Sequence, residues 1–205
     1  MNDIVIYTIG YTGFTRDEML QELINRNINA LIDVRSSPFS ERYPDYNKVE
    51  FAEFLKLNGI VYRNYSVEFG ARQDAPEYYT SDGYLDFNKF AASKKFIDGV
   101  NKIISSAQQN YKFVLMCAEK DPITCHRTIL VAKAFYERGC HIIHILPNHK
   151  EKTQKDIERE LLDKYFPRRD QISFDDMNSF TSEEEYISKA YTEQAKKIAY
   201  RKEDE

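Results

Sequence analysis

The chain has 205 residues and a mass of 24.2 kDa, enough for one substantial core and too little for two large domains. With 42% hydrophobic residues and 33 acidic against 29 basic side chains, its formal charge is only −4, so no strongly basic balance points to nucleic acid or an anionic membrane surface. No apolar stretch approaches the roughly 20 residues of a membrane span, and Met1-Asn2-Asp3 leads into a strand-like run rather than a signal-peptide pattern. Cys117, Cys125 and Cys140 lack the density of a disulfide scaffold, so a cytoplasmic protein with reduced thiols is expected.

Ile4 to Ile9 reads as a buried strand stopped by Gly10. Thr15 and Glu18 then form a capping-box signature, with Phe14 and Met19 placed as a hydrophobic staple, for a helix through Leu20, Leu23 and Ile24. Ala30 to Val34 is the second strand, and this strand, helix, strand order calls for a parallel crossover. Helical spacing follows over 49–57, a short strand over 60–62, a structured loop over 66–84 and a longer helix over 87–107.

Lys112 to Met116 supplies the next strand, Thr128 to Tyr136 the body of a helix ended by Gly139, and His141 to Leu146 another strand. The alternation predicts a three-layer α/β domain over residues 1–150 with a mainly parallel sheet, Rossmann-like or flavodoxin-like. From Glu151 the composition turns acidic, with 15 acidic and 11 basic residues. Thr153 with Asp156 and Ser182 with Glu185 offer helix starts there, and Pro167 a stop. Residues 151–205 therefore form a charged helical extension, expected to pack on the same domain, to contact a protein partner or second copy, or to stay mobile.

Ligands of parallel α/β folds bind beyond the carboxyl ends of the strands. Three segments fall at that edge: Gly10-Tyr11-Thr12, Asp33-Val34-Arg35-Ser36-Ser37, and the run from Cys117 to Arg127. In the last, Asp121-Pro122 or Thr124 can begin a helix whose amino terminus, with Arg127, would acidify Cys125. Cys117 is the competing nucleophile. Asp33, Glu119 and His126 can manage protons. Arg35 and Arg127 offer two donor forks to a phosphate or carboxylate, Ser36 adds a donor, and Gly10, Tyr11, Tyr62 and Gly70 complete a pocket.

Other chemistries fit less well. Cys117 and Arg127 are ten positions apart and Cys125 and Arg127 two, against the Cys-x5-Arg of thiol phosphatases. Gly10-Tyr-Thr-Gly13 lacks the full dinucleotide fingerprint. Zinc ligation by Cys117, Cys125, His126 and His144 or a carboxylate uses suitable donors, but the adjacency of Cys125 and His126 speaks against it, and no metal ligand is assigned. No cofactor is identified.

Several landmarks recur together: Thr8-Ile9-Gly10; Asp33-Val34-Arg35 followed by Pro38 and Ser40; and Cys117-x-Glu119 followed by Pro122 and Cys125-His126-Arg127. In these the chain resembles a bacterial family of domains of unknown function, DUF488, over most of residues 4–146 and on into Glu160-Leu161-Leu162. The resemblance implies an α/β fold and a polar pocket. It departs at Tyr11, where members often carry histidine, and at Phe69-Gly70-Ala71, where Leu-Gly-Gly is common.

The leading expectation is an enzyme acting on a phosphate- or carboxylate-bearing compound such as a nucleotide. A noncatalytic nucleotide or nucleic-acid-associated module, and a structural or protein-interaction domain, are the alternatives.

Overall fold

The computed structural model describes residues 4–169 and 182–202. Six strands, β1 (Val5–Gly10), β2 (Ala30–Asp33), β3 (Val61–Asn64), β4 (Phe113–Cys117), β5 (His141–Leu146) and β6 (Lys150–Thr153), form one sheet. Their spatial order is β3-β2-β4-β1-β5-β6; the first five are parallel and β6 is antiparallel. The expected three-layer, mainly parallel architecture is present. Its order inserts β4 between β1 and β2.

The pattern of side chains explains the layers. All five residues of β4 and all four of β2 are buried, as expected of strands covered on both faces. Successive residues point to opposite faces. Ile6, Ala30, Ile32, Phe113, Leu115 and Ile142 join one core; Ile9, Leu31, Val114, Met116 and Ile145 join the other. The second core is closed by α1 (Arg16–Asn25), through Met19, Leu20 and Leu23, and by α2 (Lys48–Leu57), through Phe51 and Leu55.

The first core is larger. It is covered by α3 (Ser66–Phe69), α4 (Phe87–Ala91), α5 (Lys94–Ala107) and a helix that begins as a π-helical turn, Arg127–Ala132, and continues as α6 (Lys133–Tyr136). The C-terminal helices α7 (Gln154–Tyr165) and α8 (Glu183–Ile198) pack on this same core through Ile157, Leu161, Ala190 and Tyr191. The π-helical turn is therefore enclosed, and all six of its residues are buried.

Several local expectations change. The predicted helix over 87–107 is two helices, because Ser93 caps the second one by accepting from the Phe96 amide. The predicted loop over 66–84 opens with α3 and holds a 3-10 turn at Pro76–Tyr78. The polar strand β6 has no apolar alternation to mark it in the sequence. It follows a turn in which Asn148 and His149 have positive φ, and it occupies the sheet edge, where charged residues are tolerated. Among the described residues no helix is long and apolar enough to cross a membrane.

The capping box of α1 is complete: the Glu18 amide donates to the Thr15 hydroxyl, and the Thr15 amide donates to the Glu18 carboxylate at 2.7 Å. Thr15→Ala is expected to lower the unfolding free energy by about 1 kcal/mol, read from urea denaturation. An unchanged midpoint would show that the box is not holding α1.

Candidate functional site

The register brings the carboxyl ends of three strands level. Gly10 pairs with Cys117 and Asp33 with Met116, and the Val34 amide continues the ladder to the Met116 carbonyl at 3.0 Å. The segments after β1, β2 and β4 thus leave one sheet edge side by side, and the Thr12 amide joins two of them by donating to the Ala118 carbonyl. Gly10 is needed for space: a Cβ there would lie 1.9 Å from the Glu119 carbonyl oxygen and 3.1 Å from Arg127 Nη1.

Alternation along the strands then sorts the polar residues by face. Cys117 points to the layer that holds the π-helical turn. After β4, Asp121 caps the 3-10 turn Pro122–Thr124 by accepting from the Ile123 amide, with Pro122 at its first position. Cys125 is still extended (φ −121°, ψ 136°), whereas His126 is already helical (φ −60°, ψ −27°). That change of conformation brings the two adjacent side chains to one place.

The ligand atoms of Cys117, Glu119, Cys125 and His126 all lie within 4.8 Å of one another. This removes the spacing objection to joint ligation. Cys117 Sγ is 3.7 Å from His126 Nδ1, and the Cys125 thiol reaches Glu119 Oε2 at 2.8 Å. His126 Nε2 faces the Val34 carbonyl at 3.0 Å. A carbonyl only accepts, so Nε2 carries a proton, and Nδ1 is the ring nitrogen that faces the sulfurs. Both cysteines and His126 are buried, whereas Glu119 is exposed as a residue and keeps only its inner oxygen on Cys125.

The titrations follow from this crowding. Burial pushes the Cys117 thiol up, and the neighbouring Cys125 and Glu119 add to it. Burial acts the same way on Cys125, but contact with Cys117, the Arg127 charge and His126 outweigh it and hold Cys125 well below the usual thiol range. Burial and the Cys125 charge raise the Glu119 carboxyl. For His126, burial favours the neutral ring, yet Cys125, Glu119 and the Val34 carbonyl raise its pKa overall. Of the two sulfurs, Cys125 is therefore the more readily ionised, favoured by Arg127 and His126, while burial holds Cys117 protonated more firmly.

Arg127 supplies the permanent charge. It is completely buried; Nη1 donates to the Glu119 carbonyl, Nε to Thr8 Oγ1 at 3.4 Å, and Nη2 is buried with no hydrogen-bond partner. Arg35 lies on the other face. Its Nε and Nη2 form a fork on Asp33, at 2.9 and 2.6 Å to separate oxygens, and Nη2 also reaches the Tyr46 carbonyl. The guanidinium sits 5.2 Å from the centre of the Tyr11 ring, which stacks on Tyr46, and Arg35 Nη1 too is buried with no partner.

Asp33 is fully buried and also accepts from the Tyr62 hydroxyl at 2.6 Å. Burial and this carboxylate push the Tyr62 hydroxyl far up. Asp33 is thus the anchor of Arg35 and Tyr62, and it makes no hydrogen bond to His126, whose Nε2 partner is Val34. The Ser36 hydroxyl accepts from the Arg72 amide, and a Cβ on Gly70 would come within 2.9 Å of it, so both residues seat the segment after α3 beside β2. The predicted residues therefore form two groups flanking Gly10-Tyr11: the thiol cluster with Arg127, and Asp33 with Arg35 and Tyr62.

His144, weighed as a zinc ligand, lies outside the cluster. It pairs in register with Thr8, whose hydroxyl meets Nδ1 at 2.8 Å, and its Nε2 meets Gln154 Oε1 at 2.9 Å. Thr8, Gln154 and Tyr191 are the associated residues that sequence reasoning missed. A polar residue inside each of two apolar strands, VIYTIG and HIIHIL, was the available signal.

A three-layer α/β domain with a Cys/Glu/Cys/His cluster at its carboxyl edge, able to hold a metal or another ligand, is the class these observations define. The chain belongs to the family described as Domain of unknown function DUF488, whose model matches residues 15–134. No curated protein and no solved structure matches it.

Two outcomes follow from the geometry. Gly10→Ala should be destabilised by about 3 kcal/mol, at the upper end for an overpacked core position, with the loss read by urea unfolding; near-neutral stability would mean the Glu119 backbone yields freely. Burial, reinforced by Arg127, lowers the His144 pKa to about 3. On acidification below the ordinary histidine value of about 6.5, the unfolded state gains a proton that the folded state refuses. The corresponding stability is present above that value and is lost progressively as the pH falls toward about 3. His144→Gln should therefore lose less stability than wild type over this window, and equal slopes would refute the assignment.

Proposed function

We propose that the protein is a metal-dependent enzyme acting on a phosphate- or carboxylate-bearing compound, of which a nucleotide is one case. Cys117, Cys125 and His126 are the fixed ligands of a zinc-class ion, and Glu119 is the exposed, displaceable fourth. The observation that carries this reading is the approach of all four ligand atoms to within 4.8 Å of one another.

Three physical points support it. A tetrahedral site with typical zinc bond lengths has ligand atoms about 3.5–3.8 Å apart; Cys117 Sγ and His126 Nδ1 are 3.7 Å apart, and Glu119 Oε2, 2.8 Å from Cys125 Sγ, would draw back to join them. The Val34 carbonyl fixes the histidine tautomer, the usual outer contact of a metal-bound imidazole. Two thiols and a carboxyl group crowded into one largely buried cluster raise two of their three pKa values, a conflict that a divalent cation resolves.

The bound ion would supply Lewis acidity at the rim, where Glu119 is exposed. Arg127 Nη2 is a buried donor without a partner on the face of the cluster, and it supports negative charge there because such donors gain most from a charged acceptor. Arg35, expected to share that anion, lies on the other face and is closed by Asp33. The three free, buried thiols support a reducing, cytoplasmic setting.

One observation favours a second reading. The lowered Cys125 pKa beside His126 also suits a metal-free nucleophilic thiolate. The two readings separate in one titration with cobalt(II). The metal-centre reading expects one equivalent bound with a thiolate-to-cobalt absorption band, abolished by both Cys117→Ser and Cys125→Ser. Glu119→Gln, which removes the charge of the fourth ligand, should bind cobalt more weakly. No band in wild type, with selective alkylation of Cys125, would replace the metal reading by the thiolate one.

A further inference from the structure

A chain of buried polar side chains runs from Arg127 to the C-terminal helix, outside the family match. Arg127 Nε donates to Thr8 Oγ1; the Thr8 hydroxyl meets His144 Nδ1 at 2.8 Å; His144 Nε2 meets Gln154 Oε1 at 2.9 Å. Gln154 Nε2 then donates to the Tyr191 hydroxyl at 2.7 Å, and that hydroxyl donates to Glu158 Oε1 at 3.3 Å. Thr8 and His144 are completely buried, Gln154 is 1% exposed and Tyr191 5%. They come from β1, β5, the start of α7 and α8.

The two ends fix the direction of every link. A guanidinium only donates and a carboxylate only accepts. Thr8 therefore accepts from Arg127 and donates to Nδ1, which makes His144 the Nε2-protonated tautomer and points the Gln154 oxygen at it. The Gln154 amide nitrogen then donates to Tyr191, which donates to Glu158. Each group both accepts and donates with no conflict, the condition under which hydrogen bonds in a low-dielectric interior reinforce one another.

Burial keeps His144 neutral, down to a pKa of about 3, so the ring serves as a fixed dipole. Arginine does not deprotonate in proteins, so the chain is no proton path to the site. Its acceptor ends all face Arg127, and that is the polarity needed to stabilise and aim a buried cation.

We infer that Thr8, His144, Gln154 and Tyr191 are positioning residues that hold the Arg127 guanidinium beside the Cys117–Cys125 cluster, which makes α7 and α8 part of the site. The inference deepens the metal-centre reading, because Arg127 then balances the excess negative charge of two thiolates and a carboxylate around one divalent ion. It depends on that reading only for the second measurement below.

The test uses the full chain with Tyr191→Phe, which removes one hydroxyl, and Thr8→Val, paired with Thr8→Ser, which restores the hydroxyl. Exchange of the Arg127 Nε proton with solvent, followed by nitrogen-15 NMR, should accelerate about tenfold or more in Tyr191→Phe and Thr8→Val and stay near wild type in Thr8→Ser. Cobalt(II) affinity should fall about tenfold in the same two variants, with a displaced charge-transfer band, and recover in Thr8→Ser. Unchanged exchange in both variants overturns the inference. Accelerated exchange with unchanged cobalt affinity overturns the link to the site. Absence of cobalt binding in wild type sinks the metal-centre reading instead, while the exchange measurement still decides whether the chain holds Arg127.

Discussion

Burial of the Arg127 guanidinium is the constraint on which the site depends. A fully buried cation must be answered by polar groups or opposing charge, because the interior cannot solvate it. Its direct protein contacts here are the Glu119 carbonyl and the Thr8 hydroxyl. Both are neutral. The nearest acidic groups are the cluster itself, where Arg127 lowers the pKa of both cysteines. Arg127 thus favours the charged form of both thiols, and Gly10 is the opening that lets the Glu119 backbone and the guanidinium approach the sheet, since any side chain there would strike the Glu119 backbone.

The same edge carries a second buried charge handled in the opposite way. Arg35 is neutralised by Asp33 in a fork, with Tyr62 and the Tyr46 carbonyl satisfying further valences. A pair so closed is held rigidly, because removing one partner would leave an uncompensated buried charge. Asp33 belongs to this fork, which is why it orients Arg35 while His126 is oriented by the Val34 carbonyl. Arg127 has no such carboxylate among the described residues, and this contrast singles out its face for chemistry.

Much of this was legible from the residues. Apolar runs located the five parallel strands, and Thr15 with Glu18 and Thr153 with Asp156 marked helix starts that the structure completes as capping boxes. The three edge segments were readable because parallel sheets expose loops at one end. What stayed hidden was non-local or unpatterned. Lys150–Thr153 has no apolar alternation because an edge strand needs none. The joint approach of Cys125 and His126 depends on one residue being extended and the next helical, a change that spacing alone does not reveal.

The π-helical turn shows how the two levels connect. Residues 128–136 read as an ordinary helix, yet the six residues from Arg127 to Ala132 are wound more widely, a feature found often at functional sites. The turn begins at the residue whose charge must reach the cluster, and it is enclosed by the sheet, α4 and α8. A helix buried on all sides cannot shed a misplaced polar group to solvent. Arg127 must therefore be satisfied in place, through Thr8 and the groups behind it, and the apolar character of Ile129, Leu130 and Val131 is what makes that polar chain necessary.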